Sequence, residues 1–175
     1  KAGKTVACLQ SGDPMIYGMT LFFELLPPEI PTEVVPGVGA FQAASAALKK
    51  SPPYGYDTSG VILTMDDWPG RTDLNEKLMA AGSTMVFYTM NLDYPRLFAQ
   101  LKRHYPPETP VAVVCDAGNL SQQKIIRSTV GKFLAEVDYR NLPVNRHMLF
   151  LGKFLEAGQA RKDFTPRVTE IRQVH

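Results

Sequence analysis

Short runs of β-branched and apolar residues recur at residues 5–10, 32–35, 60–65, 84–88, 111–115, 124–127 and 147–151 and predict strands. Most are bounded by Gly, Pro, Asp or Asn. Between them, apolar positions return at helical spacing over residues 16–26, 40–49, 73–81, 94–104 and 129–137. Strands alternating with helices of this length predict an α/β fold with a parallel or mixed sheet. Pro27 and Pro28 stop the first helix, because proline removes a backbone donor and restricts the residue before it. Residues 50–59, with Pro52, Pro53 and Gly55, form the candidate linker, so the chain is expected to divide into residues 1–52 and residues 53–175. The charged tail from residue 156 has little pattern, and is expected to be irregular or to add a peripheral strand near residues 168–172.

Composition narrows the class. With 45% hydrophobic and 21% charged residues in 175, the chain can bury a core and is neither disordered nor fibrous. Its 19 basic and 17 acidic residues are interspersed, leaving a net charge of +2 and no electrostatic footprint for a phosphate backbone. Nucleic acid is therefore not an expected partner. No apolar run approaches the roughly 20 residues that a membrane span requires, so no membrane partner is expected either. Cys8 and Cys115 lie inside apolar runs without metal-ligand spacing, which fits free thiols in a reducing cytoplasm and argues against a metal site. The chain opens at Lys1 directly before a buried-strand pattern, and is expected to be a fragment whose natural N-terminus lies upstream.

Candidate chemistry concentrates in two loops. Ser11-Gly12-Asp13-Pro14-Met15-Ile16-Tyr17-Gly18 links a predicted strand to a predicted helix. Ligands of α/β proteins bind at such carboxyl ends of strands, where glycine admits a small molecule close to the backbone and the first helical amides are free. Asp13 suits a ribose or an amine; equally, it suits a helix cap, with Gly12 serving only to turn the chain. Val35-Pro36-Gly37-Val38-Gly39-Ala40 is a second loop of this kind, followed by a helix rich in Ala and Ser. Small side chains allow close approach of a ligand or of a neighbouring sheet, and the Gly-x-Gly-x-x-Gly spacing of dinucleotide folds is absent.

Taken together, Thr5-Val-Ala-Cys-Leu-Gln-Ser-Gly-Asp-Pro-Met-Ile-Tyr-Gly and Glu33-Val-Val-Pro-Gly-Val-Gly-Ala-Phe-Gln-Ala-Ala-Ser-Ala-Ala-Leu resemble the paired signature of the tetrapyrrole (corrin/porphyrin) methylase family. Thr84-Met-Val-Phe-Tyr, Thr109-Pro-Val-Ala-Val-Val-Cys-Asp-Ala-Gly, Gln123-Lys-Ile-Ile-Arg-Ser-Thr-Val and Leu149-Phe-Leu-Gly-Lys-Phe-Leu extend the resemblance to about Leu155. Within the family, Tyr105-Pro-Pro-Glu-Thr-Pro-Val-Ala-Val-Val and Lys124-Ile-Ile-Arg-Ser-Thr-Val look most like the precorrin-4 C11-methyltransferases. The resemblance implies two α/β domains with S-adenosyl-L-methionine bound between them, S-adenosyl-L-homocysteine as product, a tetrapyrrole substrate methylated on carbon, and a homodimer. Residues 1–52 would then be the trailing part of the first domain, and residues 53–175 a second domain with a mixed sheet. A preceding glycine-rich strand and loop would lie outside the chain.

Carried over by position, Gly12, Asp13, Ile16 and Tyr17 would contact the donor, with Gly39 and Ala40 beside them. The family usually has Ser or Thr where this chain has Gly39. Thr89 stands where a methionine is common at the strand end facing the cofactor, Asp116 and Ala117 would frame the adenine, and Thr129 and Val130 would close the pocket. Arg127, with Arg71 and Arg146, is a candidate clamp for substrate carboxylates, since arginine suits bidentate recognition. No residue is singled out as a catalytic base; His104 and His147 read as surface or core-edge groups. Tyr17, Tyr88 and Thr129 have ordinary alternatives as edge aromatics and a helix cap. The rival functional class is a non-catalytic or isolated methylase-like domain that binds a partner chain or a small molecule.

Overall fold

The computed structural model describes residues 3–18, 20–53 and 60–156. Five strands, β1 (Val61–Thr64), β2 (Thr84–Tyr88), β3 (Pro110–Cys115), β4 (Lys124–Thr129) and β5 (His147–Leu151), form one mixed sheet in the order β1-β2-β5-β3-β4. β1 and β2 are parallel, whereas β5 runs antiparallel to both β2 and β3, and β4 antiparallel to β3. The last of the described strands thus sits in the middle of the sheet. Its N-terminal His147 is thereby carried to the edge where β2 and β3 end.

Alternation along the central strands feeds two cores. Met85, Phe87, Val111, Val113, Cys115, Leu149 and Leu151 face one side, together with helices α3 (Asn75–Met79), α4 (Tyr94–His104) and α5 (Phe133–Glu136). Val86, Ala112, Val114, Met148 and Phe150 face the other, covered by α2 (Ala40–Leu48) through Ala44 and Leu48 and by Phe154 and Leu155. Burial on both faces explains why these strands read as continuous apolar runs. α4 buries Tyr94, Leu97, Phe98 and Leu101, an i, i+3, i+4, i+7 stripe; Asp93 caps it by accepting from the Arg96 amide, and Lys102, Arg103 and His104 occupy its last turn.

The first helix, α1 (Thr20–Glu24), is shorter than the pattern suggests, since residues 14–18 form turns around Tyr17 at φ +53°. Likewise α5 begins only at Phe133, because the β-branched run of β4 continues through Thr129. Residues 5–10 and 32–35 form no ladder among the described residues; a strand is a pairing, and Val6 and Leu9 stand 79% and 92% exposed. Most of the linker (residues 54–59) and the candidate strand at 168–172 lie outside the described residues.

Candidate functional site

A cleft of about 530 Å³ opens at the carboxyl ends of β2 and β3. Its floor is set by register: Tyr88 and Val114 both pair with Met148, so one row of side chains crosses three strands, and all three line the cleft. This is the edge at which open α/β sheets hold ligands, and the volume is that of a small-molecule site.

The two glycine loops meet here, backbone to backbone. Gly12 adopts φ +80°, a conformation that favours glycine, and turns its carbonyl oxygen onto Gly37, where any Cβ would collide with it. A Cβ at Gly39 would stand 3.2 Å from the Asp13 Cβ and 2.8 Å from Gln42 Oε1. Gly39 is also the N-cap of α2, extended and without a side-chain cap, so the helix presents its first amides with Gly39 and Ala40 in the cleft wall. Asp13 Oδ1 accepts from the Met15 amide at 2.8 Å, which fixes the loop from within.

Tyr17 and Tyr88 form an aromatic pair with ring centroids 4.7 Å apart and planes tilted by 59°. Burial pushes the pKa of both phenols up, disfavouring their ionisation; nearby Arg71 opposes this at Tyr17, whereas Tyr17 and Asp13 reinforce it at Tyr88. The nearby backbone of Phe41, at the start of α2, weakly opposes the rise at Tyr88. On the other side, Thr89 Oγ1 donates to the His147 carbonyl at 2.6 Å. His147 Nδ1 lies 2.7 Å from the Pro143 carbonyl, an acceptor only, and therefore carries a proton; Nε2 lies 2.6 Å from the Tyr94 hydroxyl. Burial lowers the imidazole's ionisation, opposed by the bond to Pro143, so the ring is neutral and Tyr94 is the donor to Nε2. Asp116, at φ +48°, receives Arg146 Nη1 at 3.2 Å on its Oδ1 and donates its amide to the Arg146 carbonyl.

The cleft therefore brings together Gly12, Asp13, Ile16, Tyr17, Gly39, Ala40, Thr89, Asp116 and Ala117. It does not include Thr129, Val130 or Arg127. β4 runs antiparallel to β3, so Thr129 pairs with Pro110 at the opposite end of the sheet. Val130 is wholly buried in the α4 and α5 core, and Arg127 stands beside Ala112 midway along that edge strand. Arg71 is committed as well: its side chain, 5% exposed, bonds Asp73, Asp67, Thr64 Oγ1 and the Met65 carbonyl. Of the arginines weighed, Arg146 alone lines the cleft. Asn145, at φ +55°, and His147 join it there. The sequence gives no strand order, and without β5 at the centre of the sheet His147 reads as peripheral.

The Tetrapyrrole (Corrin/Porphyrin) Methylases family model matches residues 1–134. The chain is 36% identical over 142 residues to the cobalt-precorrin-4 C(11)-methyltransferase of Methanocaldococcus jannaschii, covering 77% of this chain and 53% of that protein. It is 32% identical over 174 residues to the siroheme synthase of Thioalkalivibrio sulfidiphilus, covering 95% of this chain and 35% of that protein. The chain thus spans about half of the first relative's length and about a third of the second's. The fold matches the uroporphyrin-III C-methyltransferase of Thermus thermophilus solved with S-adenosylhomocysteine, with a TM-score of 0.62 at 21% identity over 82% of this chain and 64% of that one. With a family model matched across most of its length and a mixed α/β sheet of the same fold, this chain belongs to the tetrapyrrole methylase family.

Proposed function

We propose that the cleft binds S-adenosylmethionine and that the whole protein transfers the donor's methyl group to a carbon of a precorrin-type tetrapyrrole, in cobalamin or sirohaem synthesis. The observation that carries this reading is the contact between the Gly12 and Gly37 backbones: two loops distant in sequence make one wall of a single cavity. The residues fit the group. Glycine at positions 12, 37 and 39 lets the two loops close onto one another, α2 offers its first amides at the cleft, and Asp13 Oδ2 has no partner among the described residues. Gly12, Asp13, Ile16, Tyr17, Gly39, Ala40, Thr89, Asp116 and Ala117 would hold it, and Arg146 at the rim would meet a substrate carboxylate. The precorrin-4 relative and the structure with S-adenosylhomocysteine support this choice of ligands.

Bound there, the sulfonium donor supplies a methyl group whose leaving group is a neutral thioether. The chain's residues are left with orientation and the exclusion of water. His147 fixes Thr89 through its carbonyl, and the Tyr17–Tyr88 ring contact joins the first loop to the end of β2. Exposed Val6, Leu9 and Val35 offer apolar surface to the second copy of a homodimer, and the free thiols Cys8 and Cys115 suit the reducing cytoplasm.

The rival, a methylase-like domain without catalysis, draws on Gly39, which gives α2 no side-chain cap. Calorimetry of the full-length protein with S-adenosylmethionine and S-adenosylhomocysteine, followed by transfer of a labelled methyl group to a tetrapyrrole, tests the reading. Saturable heat with both ligands and label in the macrocycle are expected; no heat at millimolar ligand would contradict it.

A further inference from the structure

The loop that follows β1 carries the bulkiest apolar side chain left in solvent among the described residues. Trp68, the single tryptophan of the chain, is half exposed. The polar side chains around it are tied down. Asp66 Oδ1 accepts from Arg96 Nη2 at 2.6 Å and its Oδ2 from the Asp93 amide at 3.3 Å, while Asp67 Oδ1 accepts from the Asn75 amide at 2.9 Å. Arg71 bonds Thr64 Oγ1, the Met65 carbonyl and Asp73. Its guanidinium carbon lies over the indole, 5.0 Å from the ring centroid, yet the Arg71 side chain is only 5% exposed. The indole therefore roofs a buried cation, and the face it turns to solvent is the one away from Arg71. β1 is an edge strand parallel to β2, with Thr64 beside Phe87, so this loop leaves the sheet at the edge where Tyr88, Thr89 and Met90 line the cleft. The bonds of Asp66 hold it against the segment after Met90, and the charge of Arg71 reaches Tyr17 in the cleft wall. A flat ring fixed in this way costs a ligand little ordering, and the guanidinium behind it draws on its electron density, which suits an electron-rich ring on the free face.

We infer that Trp68 is a substrate-binding residue, whose free face stacks on one pyrrole ring of the tetrapyrrole at the rim of the cleft. The inference rests on the tetrapyrrole reading above and deepens it by naming the surface that takes the ring. Arg71 has no part in holding substrate carboxylates, because its donors are committed within the loop; it serves by fixing the indole.

Full-length protein, Trp68→Leu and Trp68→Phe are titrated with uroporphyrin III, followed by porphyrin fluorescence, and with S-adenosylhomocysteine, followed by calorimetry, with circular dichroism to establish folding. Trp68→Leu is expected to weaken uroporphyrin III by about two- to twelve-fold, the range of an aromatic pair, and to leave S-adenosylhomocysteine unchanged. Trp68→Phe keeps a ring and is expected to lose less. Unchanged affinity for uroporphyrin III in Trp68→Leu overturns the inference, and so does an equal loss for both ligands. If Trp68→Leu does not fold, ¹⁹F spectra of protein labelled with 5-fluorotryptophan decide it. The signal that disappears in Trp68→Phe should move upfield in the ring current of bound porphyrin; an unmoved signal at saturation overturns the inference. A protein that binds S-adenosylhomocysteine but not uroporphyrin III sinks the inference and leaves the donor site standing. Binding of uroporphyrin III alone, with the loss in Trp68→Leu, upholds the inference and overturns the donor site, and binding of neither overturns both.

Discussion

His147 and Gly37 show how much a single position carries. The imidazole is buried, donates to the Pro143 carbonyl and accepts from Tyr94, so the folded state favours its neutral form and its ionisation falls below the ordinary value of 6.5. Where a folded-state value is lowered, the unfolded chain binds the proton more readily. The stabilisation is then fully present above the unfolded value, and is lost as pH falls through the folded one. Urea unfolding at pH 7.5, 6 and 5 should therefore show a steeper acid loss for the natural protein than for His147→Gln; equal slopes would refute a neutral, buried His147. Gly37 carries a different constraint. An alanine there meets the Gly12 carbonyl, backbone against backbone, which neither loop can yield cheaply. Gly37→Ala should cost about 1–3 kcal/mol in denaturant unfolding, as overpacked positions do, and should weaken ligands of the cleft; unchanged stability would mean that the loops are not in contact.

At the scale of elements, α4 supports the site from the far side of the sheet. Phe98 is wholly buried and stacks on Phe133 with centroids 4.2 Å apart, and Tyr94 of the same helix holds His147. Phe98→Ala should destabilise by about 3–5 kcal/mol, and Asp93→Ala, which removes the cap, by about 1 kcal/mol, both read from thermal or denaturant melts. This helix was fully legible in the sequence, because its apolar stripe, cap, early proline and basic last turn agree. The strands from Val61 to Leu151 were legible for the same reason, as apolar runs between turn residues. The loops around Asp13 and Gly37 could be found as chemistry, but their contact could not, since sequence spacing gives no strand order. The place of Thr129 and Val130 is illegible for the same reason: the direction of β4 puts them at the end of the sheet opposite the cleft. Residues 5–10 carry a strand pattern, yet pattern reports what a side chain could bury and not whether a ladder partner is there.

The described residues form a five-stranded mixed sheet between two layers, with the last of the described strands inserted at its centre and a cleft at one edge. That insertion joins the two halves of the site, because β5 brings Asn145, Arg146 and His147 opposite the glycine loops. In the proposed function one cavity, walled by both loops, holds the methyl donor. Titration of ¹⁵N-labelled full-length protein with S-adenosylhomocysteine, read as amide shift changes residue by residue, tests it most directly. Shifts clustered at Gly12, Asp13, Gly37 to Ala40, Thr89 and Asp116, with Thr129 and Val130 unmoved, are the predicted result; saturable shifts confined to the Thr129 end of the sheet, or none at all, would contradict it.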